Sequence, residues 1–524
     1  MKLRGRQIGR LLAALPELFP VLPFIVIVVT VMARGVPDHP SSGDASLLEL
    51  STRWLFSHRI LLGPYSRFVF FHPGPLYFFL RFPLYALFQW SSSSFLLTTA
   101  ILGGLSVFGV RAVIRRCSPP GGALIFSAVM GAFLVVTGPA LWFSEWNPLV
   151  IALPLLFFFT CTAAIGAGCT GFTLPAVIAG SFAAQTHMGS IPAIVLTAAA
   201  ALVLRRFTGI TCRRRSEAAA TRVKWLFPAA VLLLLWAPPL YEEIASAPQG
   251  NITRIVVFMT ETLPEHGFSL VYHDWSLAVT GFELDLLRAP LHGLGALDAA
   301  VVALPIIRAV LLALAFLAMR KREGGRFAAS FSLLCLLLHG ASLYSGTQIR
   351  GERLVYLFEW MRVLAPLSIG ALLLSLFQYR QWGVTIRRSA AVFASALALY
   401  TSVLSATDAG GFLTPPSEQS GGNDMAVREL SGQLLNWLSS QPEAYNSLVL
   451  RTPGLWPVLT GLANSLDKHG YMVGMDGIYA IRVPPAPEGV PVRVVLFGRS
   501  TDPSTGIPGT IASYEGMVVV IPPE

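Results

Sequence analysis

The chain alternates long apolar runs with short polar punctuation over residues 1–407 and then changes character. Apolar runs occupy 15–34, 94–114, 122–142, 147–165, 168–186, 190–204, 224–241, 297–319, 327–345, 356–378 and 388–407. A helix needs about 20 mostly apolar residues to cross the hydrocarbon layer of a bilayer, so the pattern predicts about 11 transmembrane helices. A twelfth run, Pro73 to Trp90, opens with Pro-Gly-Pro and contains Arg81 and Pro83. Beyond 408 the periodicity shortens. Gly410-Gly411, Pro415-Pro416 and Gly421-Gly422 mark a linker, as clustered Gly and Pro do. An amphipathic helix over 424–439 follows, with Val427, Leu430, Leu434, Leu435 and Leu438 on one face. A strand at 447–450, a helix at 456–466 and strands at 471–475, 492–497 and 517–521 complete a small α/β domain.

Charge decides how these runs are threaded. Lys2, Arg4, Arg6 and Arg10 precede the first run, which predicts a cytoplasmic N-terminus. If 73–90 crossed the bilayer, the basic loop 205–224 (Arg205, Arg206, Arg213, Arg214, Arg215, Arg222 and Lys224) and Arg320-Lys321-Arg322 would face outward. If it does not cross, these clusters, with Arg115-Arg116 and Arg387-Arg388, all face inward. The segment is therefore read as an outer juxtamembrane or re-entrant helix, which is tolerated where protein covers it. Of 28 acidic residues only Glu17, Glu217 and Glu323 fall on the inner side. The net charge of +10 is then a topology and anionic-lipid signal, and no nucleic-acid partner is expected. With 54% hydrophobic and 13% charged residues, against about 25% charged in soluble domains, a soluble enzyme is excluded. The first run lacks a small-residue cleavage site and reads as an anchor. The five cysteines show no metal-ligand spacing.

The expected fold class is thus membrane all-α: a transmembrane domain over 1–407 and an extracytoplasmic α/β domain over 408–524. A first outer loop covers 35–72 and a long one 242–296. The first carries Ser42-Gly43-Asp44-Ala45, a helical stretch over 45–56, Gly63-Pro64-Tyr65-Ser66-Arg67 and His72-Pro73-Gly74-Pro75. A carboxylate at this membrane–water boundary is placed to act as general base toward a sugar hydroxyl. Asp44 also has the position of an N-cap.

This layout resembles the GT-C superfamily of polytopic glycosyltransferases that use polyprenyl-phosphate-linked sugars, including the aminoarabinose, protein mannosyl and actinobacterial arabinosyl transferases. The matching elements are Asp44, the helix 45–56 and the re-entrant helix after His72. The Asp-Asp or Asp-Glu pair found in the first loop of some families is absent. The resemblance implies a GT-C-like bundle in a bacterial plasma membrane and a polyprenyl-phosphate sugar donor. It implies a glycan, lipid or protein acceptor outside, and an inverting transfer with Asp44 as base.

Glu145, in Glu145-Trp146-Asn147-Pro148, matches the second outer acid of such enzymes, with Asn147 beside it. It would orient the acceptor or hold a divalent cation; a helix-start acid favoured by the dipole is the plainer alternative. Gln185-Thr186-His187 places polar groups at membrane depth, where they are costly and usually face a functional cavity. His187 is equally a satisfied core histidine. His72 is suited to a phosphate, to a metal shared with an acid, or to packing on Pro73. A departing lipid phosphate needs a cation. Arg67, close to Tyr65 and His72, is best placed, with Arg350 and Arg353 next. The competing class is a transporter or flippase, which calls for internal repeats and charges near the midplane. No repeat is evident, and Arg308 and Arg362 are read as lying near span ends, where they could snorkel. His266, His273 and Asp274 fit no common ligand spacing.

Overall fold

The computed structural model describes residues 15–520 apart from 58, 69, 210–217, 292–295, 381–383, 413–421, 442–446, 452–454, 476–492 and 500–508. The N-terminal cations, Arg213–Arg215 and most of the linker lie outside the described residues.

Each of the eleven apolar runs is helical. A 3-10 segment Leu15–Val21 leads into α1 (Leu22–Ala33). Then come α2 (Gly43–Arg53), α3 (Leu76–Leu87), α4 (Ser94–Cys117), α5 (Gly122–Thr137), α6 (Ala152–Gly166), α7 (Thr173–Thr186), α8 (Ile191–Gly209) and α9 (Ala218–Ala245). They are followed by α10 (Asn251–Glu261), α11 (Phe268–Leu291), α12 (Ala296–Met319), α13 (Arg326–Thr347), α14 (Leu364–Arg380) and α15 (Val384–Phe412). Among the described residues, 9 helices are long and apolar enough to cross a membrane, and the chain is a multi-pass membrane protein. Two expected spans come out shorter. α5 stops at Gly138, where φ is +71° and Pro139 follows, a combination that ends helices. α7 begins only at Thr173, after the 3-10 turn Thr170–Phe172. α3, the ambiguous twelfth run, has 12 residues and rises only about 18 Å, too short to cross, as the charge argument requires.

Two expectations need correction. The stretch 242–296 is not a loop: α10 and α11 fill most of it. His273 and Asp274 interrupt the apolar run, but Val271, Trp275, Ala278 and Val279 are buried. That spacing puts them on one face, against α12 and α13, so helical periodicity carries the burial where continuous apolarity is missing. Arg308, expected near a span end, lies close to the middle of the span Ala299–Met319. It is buried and donates to the carbonyl of Val279 at 2.7 Å, so it does not snorkel. Arg362 pairs with Glu359 at 2.5 Å one turn away.

The chain divides into two compact units. The first takes residues 1–30, 72–77 and 99–409. At its centre α6 is buried almost throughout, packed by α7, α8 and α13, while α12 and α14 pack on α13.

The second unit takes residues 31–71, 78–98 and 410–524. It holds α16 (Asn423–Ser439), α17 (Trp456–Lys468) and strands β1 (Ser447–Arg451), β2 (Met472–Met475), β3 (Arg493–Arg499), β4 (Thr510–Tyr514) and β5 (Met517–Val520). The sheet order is β2-β1-β3-β5-β4; β1 is parallel to β2 and β3, and the rest is antiparallel. β4 went unread in the sequence. Its signal is the turn Glu515-Gly516, both at positive φ, the geometry that two-residue hairpin turns require. The α/β residues do not form their core alone: Leu47 of α2 is buried with Val427, Leu430, Leu459, Leu462 and Val519 in one cluster. α2 packs along α17, so the first loop and the C-terminal residues make one body.

Polar contacts complete that seam. Glu49 is fully buried. It accepts from Tyr85 Oη at 2.8 Å, Ser41 Oγ at 3.0 Å and Asn464 Nδ2 at 2.7 Å, and pairs with Lys468 Nζ at 2.5 Å. Arg53 pairs with Asp467 at 2.5 Å and donates to Tyr85 Oη and Asn464 Oδ1, both at 2.8 Å. A buried carboxylate persists when its lone pairs are all engaged.

Candidate active site

In the second unit, Asp44 lies in the first turn of α2. Ser42, not Asp44, is the N-cap residue, so the capping role open in the sequence is not the one Asp44 takes. Gly43, at φ +59°, reverses the chain just before it, a conformation that favours glycine. Tyr65 Oη donates to Asp44 Oδ1. The hydroxyl holds the half-buried carboxylate in place from the loop that returns beneath the helix. Arg67 follows two residues later, its guanidinium 5.2 Å over the ring of Phe68.

In the first unit, His72, Asn147, Gln185 and His187 come together around the break between α7 and α8. Gln185 ties this region: its Nε2 donates to Leu235 O at 2.8 Å and its Oε1 accepts from Leu76 N at 3.3 Å. Its carbonyl accepts from Gly74 N at 3.4 Å. Gly74 lies flat on the Gln185 amide, where any β-carbon would collide. The Pro-Gly-Pro loop is thereby fixed at the start of α3. Asn147 Nδ2 donates to Thr186 O at 3.4 Å. Tyr77 Oη donates to the carbonyl of Glu145. The rings of His72 and His187 face each other with centroids 5.3 Å apart. His72 Nδ1 accepts from Met188 N at 3.2 Å. Burial, joined for His72 by the neighbouring His187, holds the His72 imidazole well below its ordinary value, and burial alone pulls His187 down to about 4. Both rings are neutral near pH 7.

Arg350 and Arg353 form a separate group in the same unit. Arg350 is buried, with Nε donating to Thr262 O at 2.9 Å and Nη1 to Gln348 O at 2.8 Å. Arg353 pairs with Asp274 at 2.5 Å, and His266 Nε2 lies 2.6 Å from Gly351 O. These contacts stitch the turn after α13 to the segment joining α10 and α11. Among the described residues no three His, Cys, Asp or Glu side chains cluster as a metal site would need.

Sequence reasoning missed three residues near these groups. Tyr77 follows the Pro-Gly-Pro turn and could have been found as a polar handle inside an apolar run. Glu49 looked like the polar face of an amphipathic helix. Trp360 was hidden in the apolar stretch of a span.

Fold and site together describe a polytopic helical membrane protein. Its acid-bearing helix α2 packs with the C-terminal α/β residues, and a second short helix opens on a proline-rich turn. This fold has a counterpart among solved structures. Among solved structures the chain is similar to ArnT from Cupriavidus metallidurans, determined bound to undecaprenyl phosphate, with a TM-score of 0.53, 14% identity, and coverage of 96% of this chain and 97% of that one. No protein-family model matches the chain, and no curated protein sequence does.

Proposed function

We propose that the protein is a bacterial membrane glycosyltransferase that takes a sugar from a polyprenyl-phosphate donor. The observation that carries this reading is the likeness of nearly the whole chain to ArnT, a protein seen with undecaprenyl phosphate. The acceptor is a glycan, lipid or protein outside the cytoplasmic membrane, and the basic N-terminus and inner loops support a cytoplasmic N-terminus with the α/β residues outside.

In the proposed step the acceptor oxygen attacks the anomeric carbon as its proton passes to Asp44. The bond from that carbon to the phosphate oxygen breaks, and the lipid phosphate leaves with the electron pair. One base suffices for direct displacement, which inverts the anomeric centre. Tyr65 holds the base. Arg67, two residues after Tyr65 and five before His72, is assigned to the departing phosphate, with Arg350 and Arg353 next. Purified protein in lipid, incubated with a panel of polyprenyl-phosphate sugars, should release polyprenyl phosphate; none released from any donor would overturn the reading.

Arg308, buried near mid-span, favours a second reading as a flippase of lipid-linked sugars, because intramembrane charges mark transport routes. Arg308→Ala that abolishes lipid scrambling in vesicles would support it; vesicles that show no scrambling with wild-type protein would remove it.

A further inference from the structure

Among the described residues four cysteines are free, and their settings differ. Cys161 and Cys335 are buried, while Cys117 and Cys169 are half-buried. The two half-buried thiols meet: the Cys117 S–H donates to Cys169 Sγ. Both belong to the first unit, and local structure brings them together. Cys169 follows the turn that closes α6. Gly168 sits at φ +100°; its N–H bonds Ile165 O at 2.9 Å, and the Cys169 N–H bonds Ala164 O at 2.8 Å. These two bonds around a left-handed glycine make a Schellman stop, which fixes the Cys169 backbone. Cys117 is the last residue of α4. Ser118, next in the chain, bonds Ile114 O through its hydroxyl at 2.6 Å and its N–H at 2.9 Å, and Pro119-Pro120 cannot extend the helix. Packing sets the register between the two helices. A β-carbon on Gly109 of α4 would lie 2.5 Å from the Phe157 ring of α6, so the ring seats where α4 has no side chain.

The chemistry follows from the contact. A thiolate is the nucleophile, a thiol is not. Donation from Cys117, against burial and with help from the Arg116 guanidinium, lowers Cys169 to about 7, so much of it is thiolate at neutral pH, near the optimum for attack. A reachable thiolate with a second thiol in contact is the arrangement that captures an oxidised sulfur as a disulfide. We propose that Cys169 and Cys117 are a redox-modified pair, in which Cys169 attacks a hydroperoxide and Cys117 resolves the product to an intramolecular disulfide. In the first step Cys169 Sγ attacks one oxygen of hydrogen peroxide and the O–O bond breaks. Hydroxide leaves with the electron pair and takes a proton from the medium to become water, and Cys169 is left as the sulfenic acid. In the second step Cys117 Sγ attacks Cys169 Sγ and the S–O bond breaks. The departing hydroxide takes the Cys117 proton and leaves as a second water. Two thiols have then given two electrons to the peroxide. The new bond ties the end of α4 to the turn after α6, and a thiol reductant reverses it by exchange. None of this depends on the glycosyl-transfer reading.

The test uses full-length protein in lipid vesicles, reduced, freed of reductant, exposed to hydrogen peroxide, then blocked with N-ethylmaleimide and mapped by mass spectrometry. Wild-type protein should lose labelling at both Cys117 and Cys169 and yield a linked peptide that joins them, lighter by two hydrogens than the separate thiol peptides. Dithiothreitol should restore both labels. Cys117→Ser should stop at a Cys169 sulfenic acid, trapped as its dimedone adduct, and Cys169→Ser should leave Cys117 a free thiol under the same exposure. The wild-type map carries the test if a variant misfolds. No linked peptide, links only between separate molecules, or oxidation of Cys117 in the Cys169→Ser protein as fast as that of Cys169 in wild type would overturn the pair. Protein that transfers sugar from no donor would defeat the proposed function and leave this result standing.

Discussion

Replacing Lys468 by Met should loosen α17 from α2. Glu49 is 1% exposed, and its only cation within ion-pair distance among the described residues is Lys468, at 2.5 Å. Removing one partner of a buried pair typically costs about 3–5 kcal/mol, because the other charge stays behind. Three neutral donors, Tyr85, Ser41 and Asn464, remain on the carboxylate, which places the cost near the low end, about 3 kcal/mol. Lys468 also pairs with Asp38 at 2.8 Å, a half-exposed pair worth less than the buried one. A loss of about 3 kcal/mol is roughly a hundredfold in an opening equilibrium. Hydrogen exchange of the α17 amides, followed by mass spectrometry, should therefore speed up by about that factor. Adding Glu49→Gln to the Lys468→Met background should restore most of the protection, because the stranded charge is gone. A change below about threefold, or no recovery in the double variant, would refute the view that a buried ion pair locks the first loop to the C-terminal residues.

Tyr65→Phe keeps the ring and removes the hydroxyl that donates to Asp44. A hydrogen bond to a charged group is worth about 1.5–3 kcal/mol, so kcat should fall by roughly tenfold to a hundredfold, read by release of lipid phosphate. Acid should weaken the second unit through Asp38. Burial pushes this carboxyl up, but the Lys468 ammonium and the Ser92 contacts pull it below its ordinary value on balance. Its contribution is present above the usual aspartate range and lost as pH falls through the lowered value, so Asp38→Asn should flatten unfolding-midpoint curves below about pH 4. His72 and His187 act in a higher window. Burial holds His187 at about 4, so between about pH 6.5 and 4 only the unfolded chain takes up a proton there, stability should fall as pH drops across that interval, and His187→Gln should reduce the slope. Among the described cysteines, Cys169 should be the most reactive thiol. A hydrogen bond from Cys117, against the upward push of burial and helped by Arg116, lowers it to about 7. Maleimide labelling should be half-maximal near that pH, and Cys117→Ala should move the midpoint upward.

The spans were legible because a bilayer imposes continuous apolarity, and α3, which the charge pattern leaves uncrossed, has 12 residues. Asp44 was singled out by position alone, just after the first span; the structure places it in the first turn of α2. The rest was obscured for definite reasons. α11 buries only one face, so His273 and Asp274 masked it. Arg308 sits in a run whose other residues are so apolar that it was assigned to an end. Glu49 and Leu47 face α17, more than four hundred residues away in sequence, and only the folded chain shows that the first loop and the C-terminal residues share a core. Gln185 was singled out for ligand binding; its amide is spent on Leu76 and Leu235, positioning the turn before α3.

The central claim is that Asp44 deprotonates the acceptor in transfer from a polyprenyl-phosphate sugar. Single-turnover transfer by wild-type protein and by Asp44→Asn, with donor binding measured alongside, tests it most directly. The account predicts that the variant binds donor as wild type does and transfers no sugar; full transfer by the variant would contradict it.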